Sequence, residues 1–384
     1  MPDLVAIDLP GGPGWLDALQ RIWDAGDAAL PLDRRLAPAA RLAVADALGA
    51  SAVIDEAGRS ARPGGRPVEP GDALVMATSG TTGTPKGVVL THDAVRSSAL
   101  ATSARLGLDP DRHRWLACLP LNHVGGLTVV TKALYTGAAV TILPRFDRDA
   151  VIAASGPDVA VSLVPTTLAR VGAEHFHTVV LGGSAPPRRL PANVHTTYGM
   201  TETGSGVVYD GVPLDGVEVS VEPVTREIHL RGPMLLRAYR DGTVPTDARG
   251  WLATGDAGHV DAAGRLHVDG RLDELIVSGG ENVWPTPVEQ VIARHPGVGE
   301  VAVAGRPDPE WGQRVVAWVV PTAGGEPPTV EGLRRLVAEE LAPWAAPREV
   351  VLVEHLPKTA IGKVRRAALG TGSWATVGDN RAPL

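Results

Sequence analysis

The sequence has one cysteine, Cys118, among 384 residues, so no intrachain disulfide can form and a disulfide-framework secreted fold is excluded. A basic excess is also missing. Lys and Arg number 36 against 43 Asp and Glu, a formal net charge of −7, which argues against a dedicated nucleic-acid binder. Nor is there a long apolar run. The best candidate, residues 126–144, is interrupted by Lys132, Gly137 and several threonines and falls short of the roughly 18 apolar residues a membrane span needs. The first eight residues carry Asp3 and Asp8 where a signal peptide has basic residues, and no apolar h-region follows. These absences lead to the expectation of a soluble cytoplasmic protein with no membrane insertion.

At roughly 100–200 residues per domain, the length allows two or three domains with ample cores. The 45 glycines and 33 prolines punctuate the chain without forming a low-complexity tract, and no internal repeat occurs. Short apolar runs at 74–77, 159–164 and 178–181 are predicted as buried strands of a mixed α/β sheet, with a helix over 93–106. After about residue 210, turn-separated segments at 217–221, 227–230, 259–260 and 266–268 predict a β-rich subdomain. From Asp273 onward the pattern is compact α+β, with helices over 287–294 and 331–341 and strands near 301–304 and 315–320. In the last helix Leu333, Leu336, Val337 and Leu341 share one face, and Thr329 stands where a cap belongs. The expected fold class is therefore α/β. A large N-terminal domain (1–272) of mixed sheets packed with helices, plus the β-rich subdomain, is expected to precede a small α+β domain (273–384).

The most informative stretch follows the first of these strands. Thr78, Ser79, Thr81, Thr82 and Thr84 offer hydroxyls, Gly80 and Gly83 let backbone N–H groups turn inward, and Lys86 adds positive charge, a mixture that suits a polyphosphate. It is not a Walker A loop, because Pro85 stands where the second glycine should and Gly87 follows the lysine. In a second stretch, from His195 to Gly204, Tyr198 can stack on a base and Thr201 can bond a phosphate oxygen. Glu202 can hold Mg²⁺, a hard cation that takes a carboxylate together with phosphate oxygens.

Weaker signals lie further along. Asp256 and Arg271 can grip ribose hydroxyls or serve equally as turn and salt-bridge residues. Gly279 and Gly280 mark a turn with close backbone access, Lys363 lies on a loop after a strand, and His123 is either a satisfied core histidine or a functional one. No zinc-protease His-Glu-x-x-His, no Gly-x-Ser-x-Gly nucleophile elbow and no Gly-x-Gly-x-x-Gly dinucleotide fingerprint occurs, which demotes hydrolase and dehydrogenase readings.

Taken together, Thr78 to Gly87, Tyr198 to Glu202, Thr254 to Asp256, Gly270 to Asp273 and Pro357 to Lys363 follow the order and spacing of the acyl-CoA synthetase and adenylate-forming superfamily. The chain resembles it from about residue 72 to about residue 367. The resemblance implies ATP, Mg²⁺ and CoA as co-reactants, with a phosphate loop from Thr78 to Lys86. It implies nucleotide contacts at Gly182, Gly183, Ser184, Tyr198, Gly199, Met200 and Thr201, the metal at Glu202, and ribose at Asp256 and Arg271. Asp273 becomes the hinge, Lys363 the adenylation lysine acting with Glu202 and Thr201, and Gly279 and Gly280 border the CoA path.

Within the superfamily, residues 198–217 are similar to the o-succinylbenzoate-CoA ligases of menaquinone biosynthesis, and the short run of 77 residues before the phosphate loop points the same way. That similarity implies an ATP-dependent ligase whose acyl pocket is lined by His123 and Ser205, with small-molecule partners and no nucleic acid. Another aryl- or acyl-CoA ligase, or an adenylating enzyme loading a separate carrier protein, would share the nucleotide motifs. A homo-oligomer stays open as well.

Overall fold

The computed structural model describes residues 1–78, 85–187, 189–358, 364–369 and the backbone of 379–381. The chain opens with β1 (Leu4–Ile7), α1 (Pro13–Asp24), β2 (Ala28–Pro31), α2 (Pro38–Ala47), β3 (Ala52–Asp55), β4 (Gly58–Ala61), β5 (Asp72–Thr78) and β6 (Lys86–Thr91). β1, β2, β3 and β5 run parallel, while β4 and β6 are antiparallel to β3 and β5. Every residue of β1 and β2 is buried, as in parallel strands covered on both faces. α1 begins on a proline, whose missing N–H costs nothing in the first turn, and buries Trp15, Ala18, Leu19 and Ile22 at helical spacing.

The second sheet follows through α3 (His92–Leu106), β7 (Arg114–Ala117), α4 (Val124–Thr136), β8 (Val140–Ile142), α5 (Arg148–Ala153), β9 (Gly156–Leu163), α6 (Pro165–Val171), β10 (Phe176–Leu181), β11 (Val194–Met200), β12 (Ser205–Tyr209) and β13 (Val212–Pro213). Its order is β13-β12-β11-β10-β9-β7-β8, with β7 to β11 all parallel. On one face Val159, Val161, Leu163, Val179 and Leu181 pack with Val151 of α5 and Leu168 and Val171 of α6. The helix predicted over 93–106 is α3, capped where Thr91 Oγ1 accepts from Ala94 N at 3.1 Å.

Next come β14 (Glu218–Val221), β15 (Glu227–Arg231), β16 (Ala238–Tyr239), β17 (Leu252–Val260) and β18 (Leu266–Arg271). β16 extends the first sheet beside β6, and the other four form a sheet of order β14-β15-β17-β18, the β-rich region expected from the turn spacing.

The last elements are β19 (Ile276–Ser278), β20 (Glu281–Val283), α7 (Pro285–Ile292), β21 (Val298–Asp308), β22 (Gly312–Pro321), α8 (Val330–Ala338), β23 (Glu349–Leu352) and β24 (Asp379–Arg381). Their sheet is order β20-β19-β22-β23-β24, with β21 also paired to β22. The two-residue period of a strand divides its core. Val315, Ala317 and Val319 pack with Val288, Ile292, Leu333 and Val337, whereas Val316 and Trp318 join Val351, Leu356 and Leu369. Thr329 Oγ1 accepts from Gly332 N at 3.1 Å, the cap its position suggested, and Leu336 and Leu341 pack against the same core as Leu333 and Val337.

The chain packs as two compact units. The first comprises Met1–Ser220, His229–Ala253 and Ala262–Leu266, and the second Val221–Ile228, Thr254–Asp261 and His267–Leu384. Among the described residues no helix is long and apolar enough to cross a membrane.

Candidate active site

Open parallel sheets present their ligand-binding loops at the carboxyl ends of the strands. In the first unit that end of β5 carries Thr78, that of β7 leads to His123, that of β10 to Gly182, Gly183 and Ser184, and that of β11 to Thr201 and Glu202. Thr78 pairs with Lys86 across the β5–β6 hairpin, its hydroxyl donating to the Lys86 carbonyl at 3.3 Å. The intervening Ser79, Gly80, Thr81, Thr82, Gly83 and Thr84 lie outside the described residues, as does Lys363.

Glu202 sits on a single 3₁₀ turn, Thr201–Thr203, directly after β11. The Thr203 hydroxyl accepts from Met200 N at 2.9 Å and donates to the Ser205 carbonyl at 2.6 Å, which holds this turn in shape. Gly199 could be no other residue without movement, since a Cβ there would stand 2.2 Å from the Ser205 carbonyl oxygen. The Tyr239 hydroxyl donates to Glu202 Oε1 at 2.9 Å, and the Lys86 ammonium lies 5.3 Å from the centre of the Tyr239 ring. Burial and the Glu202 charge both hold the Tyr239 phenol protonated well above its usual range. Tyr239 is a residue that sequence reasoning missed. It lies 37 residues from Glu202 in a region read only as turns and strands, and the pairing of β16 with β6 is what delivers it.

His123 precedes the first turn of α4 and makes side-chain contacts with Arg35 and Asn122, so it is not an apolar core histidine. Ser205 is buried and its hydroxyl accepts from Lys132 Nζ at 3.1 Å. Lys132, only 3% exposed, stands 5.6 Å from the centre of the Trp115 ring. It has no carboxylate partner among the described residues, which is unusual for a buried ammonium because an uncompensated charge is costly to desolvate. A lysine inside the apolar stretch of α4 was the available signal for this second missed residue.

The second unit brings together Asp256, Arg271 and Asp273. Arg271 Nη1 lies 3.3 Å from Asp256 Oδ1 and 3.1 Å from the Thr254 carbonyl oxygen, and Arg271 Nε lies 3.3 Å from Asp273 Oδ1. Burial works against the guanidinium charge, but the two carboxylates outweigh it and raise the Arg271 pKa. Gly279 and Gly280 form the two-residue turn between β19 and β20, with φ of +61° and +85°. That geometry favours glycine at both positions, and a Cβ on Gly279 would meet the Trp311 ring at 2.6 Å.

Two α/β sheets delivering hydroxyls, a lysine and a carboxylate from their strand ends, followed by a separate α+β domain, define a nucleotide-dependent acyl-activating type of enzyme. Residues 56–258 match the AMP-binding enzyme family, and residues 287–363 match the AMP-binding enzyme C-terminal domain. The chain is 40% identical over 331 residues to a protein of Mycobacterium tuberculosis named "Probable 2-succinylbenzoate--CoA ligase", covering 79% of this chain and 85% of that one. It is 35% identical over 335 residues to 2-succinylbenzoate-CoA ligase of Bacillus cereus, with 77% and 69% covered. The o-succinylbenzoate CoA synthetase of Bacillus subtilis, solved with the acyl-adenylate intermediate OSB-AMP, superposes with a TM-score of 0.84 at 28% identity over 97% of this chain and 89% of that chain. The same synthetase solved with ATP and magnesium ion gives 0.82 at 29% identity, with 96% and 89% covered. The chain belongs to the AMP-binding enzyme family and groups with its 2-succinylbenzoate-CoA ligases.

Proposed function

We propose that this protein activates 2-succinylbenzoate (o-succinylbenzoate) with ATP and transfers the acyl group to CoA in the cytoplasm, giving 2-succinylbenzoyl-CoA, AMP and pyrophosphate. The observation that carries the reading is the similarity to ligases of this substrate across both matched domains. The buried Lys132 adds physical support. A substrate with two carboxylates keeps one when the other is activated, and an ammonium whose one hydrogen-bond partner among the described residues is the Ser205 hydroxyl suits that remaining anion.

In the first step a substrate carboxylate oxygen attacks the α-phosphorus of ATP and pyrophosphate leaves. In the second the CoA thiol attacks the acyl carbonyl and AMP leaves. Thr78, Ser79, Gly80, Thr81, Thr82, Gly83, Thr84 and Lys86 would cradle the polyphosphate. Gly182, Gly183, Ser184, Tyr198, Gly199, Met200 and Thr201 would hold the nucleotide, and Asp256 and Arg271 the ribose. The Glu202 carboxylate fits Mg²⁺, because Tyr239 engages Oε1 and leaves acceptor capacity on Oε2. When bound there, the ion would neutralise charge on the phosphate oxygens. Lys363 would stabilise the negative charge gathering on phosphorus in the adenylation step. His123 and Ser205 would meet the acyl group, and Gly279 and Gly280 would border the CoA path. Asp273, in the 3₁₀ turn Leu272–Glu274, would be the hinge between domains 1–272 and 273–384, turning between the two half-reactions.

The test is mass-spectrometric detection of CoA thioesters from the purified protein with ATP, Mg²⁺ and CoA, offered 2-succinylbenzoate, benzoate and medium-chain acids in parallel. A dominant 2-succinylbenzoyl-CoA product upholds the reading. Preference for benzoate or fatty acids would retain the ligase chemistry and overturn the substrate, and adenylates without thioester would favour a carrier-protein acceptor.

A further inference from the structure

We infer that Asp33 and Arg35 are positioning residues for His123, holding its imidazole neutral with Nε2 as acceptor and the proton on Nδ1. The inference rests on the reading of His123 as a contact of the acyl carboxylate. Both residues lie on the short loop between β2 and α2. Because β2 is parallel to β5, this loop leaves the first sheet at the same end as Thr78, whereas His123 follows β7 of the second sheet. The contact therefore joins the ligand-facing ends of two sheets.

Asp33 grips Arg35 from two sides. Its Oδ1 accepts from Arg35 Nε at 2.7 Å and from Arg35 N at 3.0 Å, and its Oδ2 accepts from Nη2 at 2.7 Å. The same Nη2 lies 2.8 Å from His123 Nε2. A guanidinium carries only donors, so Nε2 must present its lone pair. The Asn122 side-chain nitrogen, 3.2 Å from Nε2, can supply a second donor to that atom. Protonating Nε2 would set N–H against N–H and bring two cations together. Among the described residues Nδ1 has no partner, which leaves its N–H for a ligand.

Arg35 and Asp33 are the charged groups that face His123 among the described residues. Burial and the Arg35 charge both depress its pKa below the usual histidine range, and Asp33 opposes them with less effect. Burial also works to raise the pKa of Asp33, but its hydrogen bonds from Arg35 outweigh that and keep it an anion. The chemical benefit lies in the charge of the donor. An imidazolium would pair with the substrate carboxylate and stabilise the nucleophile in its ground state, whereas a neutral N–H orients the carboxylate and leaves more of its nucleophilicity intact.

The experiment joins nitrogen-15 NMR of the His123 ring to the pH profile of kcat/KM for 2-succinylbenzoate, in the wild type and in Arg35→Gln, Arg35→Lys and Asp33→Asn. The wild-type ring should be neutral and Nδ1-protonated across the ordinary histidine titration range, titrating only below it. In Arg35→Gln the titration should move up toward the ordinary histidine range, burial holding back the rest, and an acid limb should appear in kcat/KM, with activity at pH 8 within about threefold of the wild type. Arg35→Lys keeps the charge and should suppress the limb. Asp33→Asn loosens the carboxylate grip on the guanidinium and should show a partial one, against the direct effect of the lost Asp33 charge, which alone would lower the ring pKa, and it serves if Arg35→Gln folds poorly. A wild-type ring protonated on Nε2, or an Arg35→Gln titration unchanged from the wild type, would overturn the inference. A loss equal at every pH would mark a merely structural role and overturn it too. A changed ring titration without an acid limb would uphold the lock and overturn instead the assignment of His123 to the acyl carboxylate.

Discussion

The Tyr239 hydroxyl donates to Glu202 Oε1 at 2.9 Å while the Tyr239 ring faces the Lys86 ammonium at 5.3 Å, so one aromatic side chain links the end of the phosphate-loop hairpin to the proposed metal-binding carboxylate. Removing the hydroxyl should loosen Glu202 without emptying the core. Tyr239→Phe is expected to lower kcat/KM for ATP by about 10- to 150-fold, the scale of a hydrogen bond to a charged group. Steady-state kinetics at saturating 2-succinylbenzoate checks this, and an unchanged value would make the contact incidental.

Glu202→Gln keeps the shape of the side chain and removes its charge. Mg²⁺-dependent pyrophosphate exchange should fall by roughly 100-fold or more, with a higher Mg²⁺ requirement and an unaltered melting temperature. An unchanged Mg²⁺ dependence would move the metal role elsewhere.

Lys132 separates stability from function. Replacing a buried ammonium that has no carboxylate partner among the described residues by an apolar side chain of similar length removes a desolvation cost, so Lys132→Met should melt no lower than the wild type. The same change should raise KM for 2-succinylbenzoate by about 10- to 150-fold with KM for ATP unaltered, the scale of a lost hydrogen bond to a charged group. Equal losses for both substrates would argue against an acyl-carboxylate role.

Lys363→Ala should reduce adenylation by at least about 100-fold yet spare thioester formation from supplied acyl-adenylate, since the lysine is proposed to act only in the first step. Single-turnover assays of the two half-reactions decide this. Loss of both together would contradict the division of labour.

Burial pushes the Cys118 thiol up from its ordinary 9.0 to about 12. The unfolded thiol ionises first, so the stability difference is fully present below pH 9 and is lost as pH rises toward the folded value. Relative to Cys118→Ala, the wild type should lose about 1.4 kcal/mol per pH unit above that point. Urea unfolding at pH 8, 9.5 and 10.5 measures the difference, and parallel curves for the two proteins would refute it.

Local signals were readable where local chemistry settles conformation. The α3 and α8 helices carry their own caps at Thr91 and Thr329, and the Gly279–Gly280 turn takes the positive φ values its sequence invites. β1, β2, α1 and α2 escaped notice. β1 and β2 are four-residue strands buried at every position, and α2 buries only Ala45, so neither shows the alternation or broad apolar stripe that identifies an element.

The sequence by itself determined the chemistry on offer. It set an oxyanion-suited loop at Thr78 to Lys86, a carboxylate after Tyr198, an acid and a base at Asp256 and Arg271, and a lysine near the C-terminus, in an order diagnostic of the family. Only the tertiary structure decided which side chains meet. Lys86 reaches Tyr239 because β16 pairs with β6, Arg35 reaches His123 across 88 residues, and Lys132 reaches Ser205 across 73. Propensity and periodicity act over a few residues, whereas these contacts depend on strand order and on which sheet ends come together. A linear pattern carries no direct record of either.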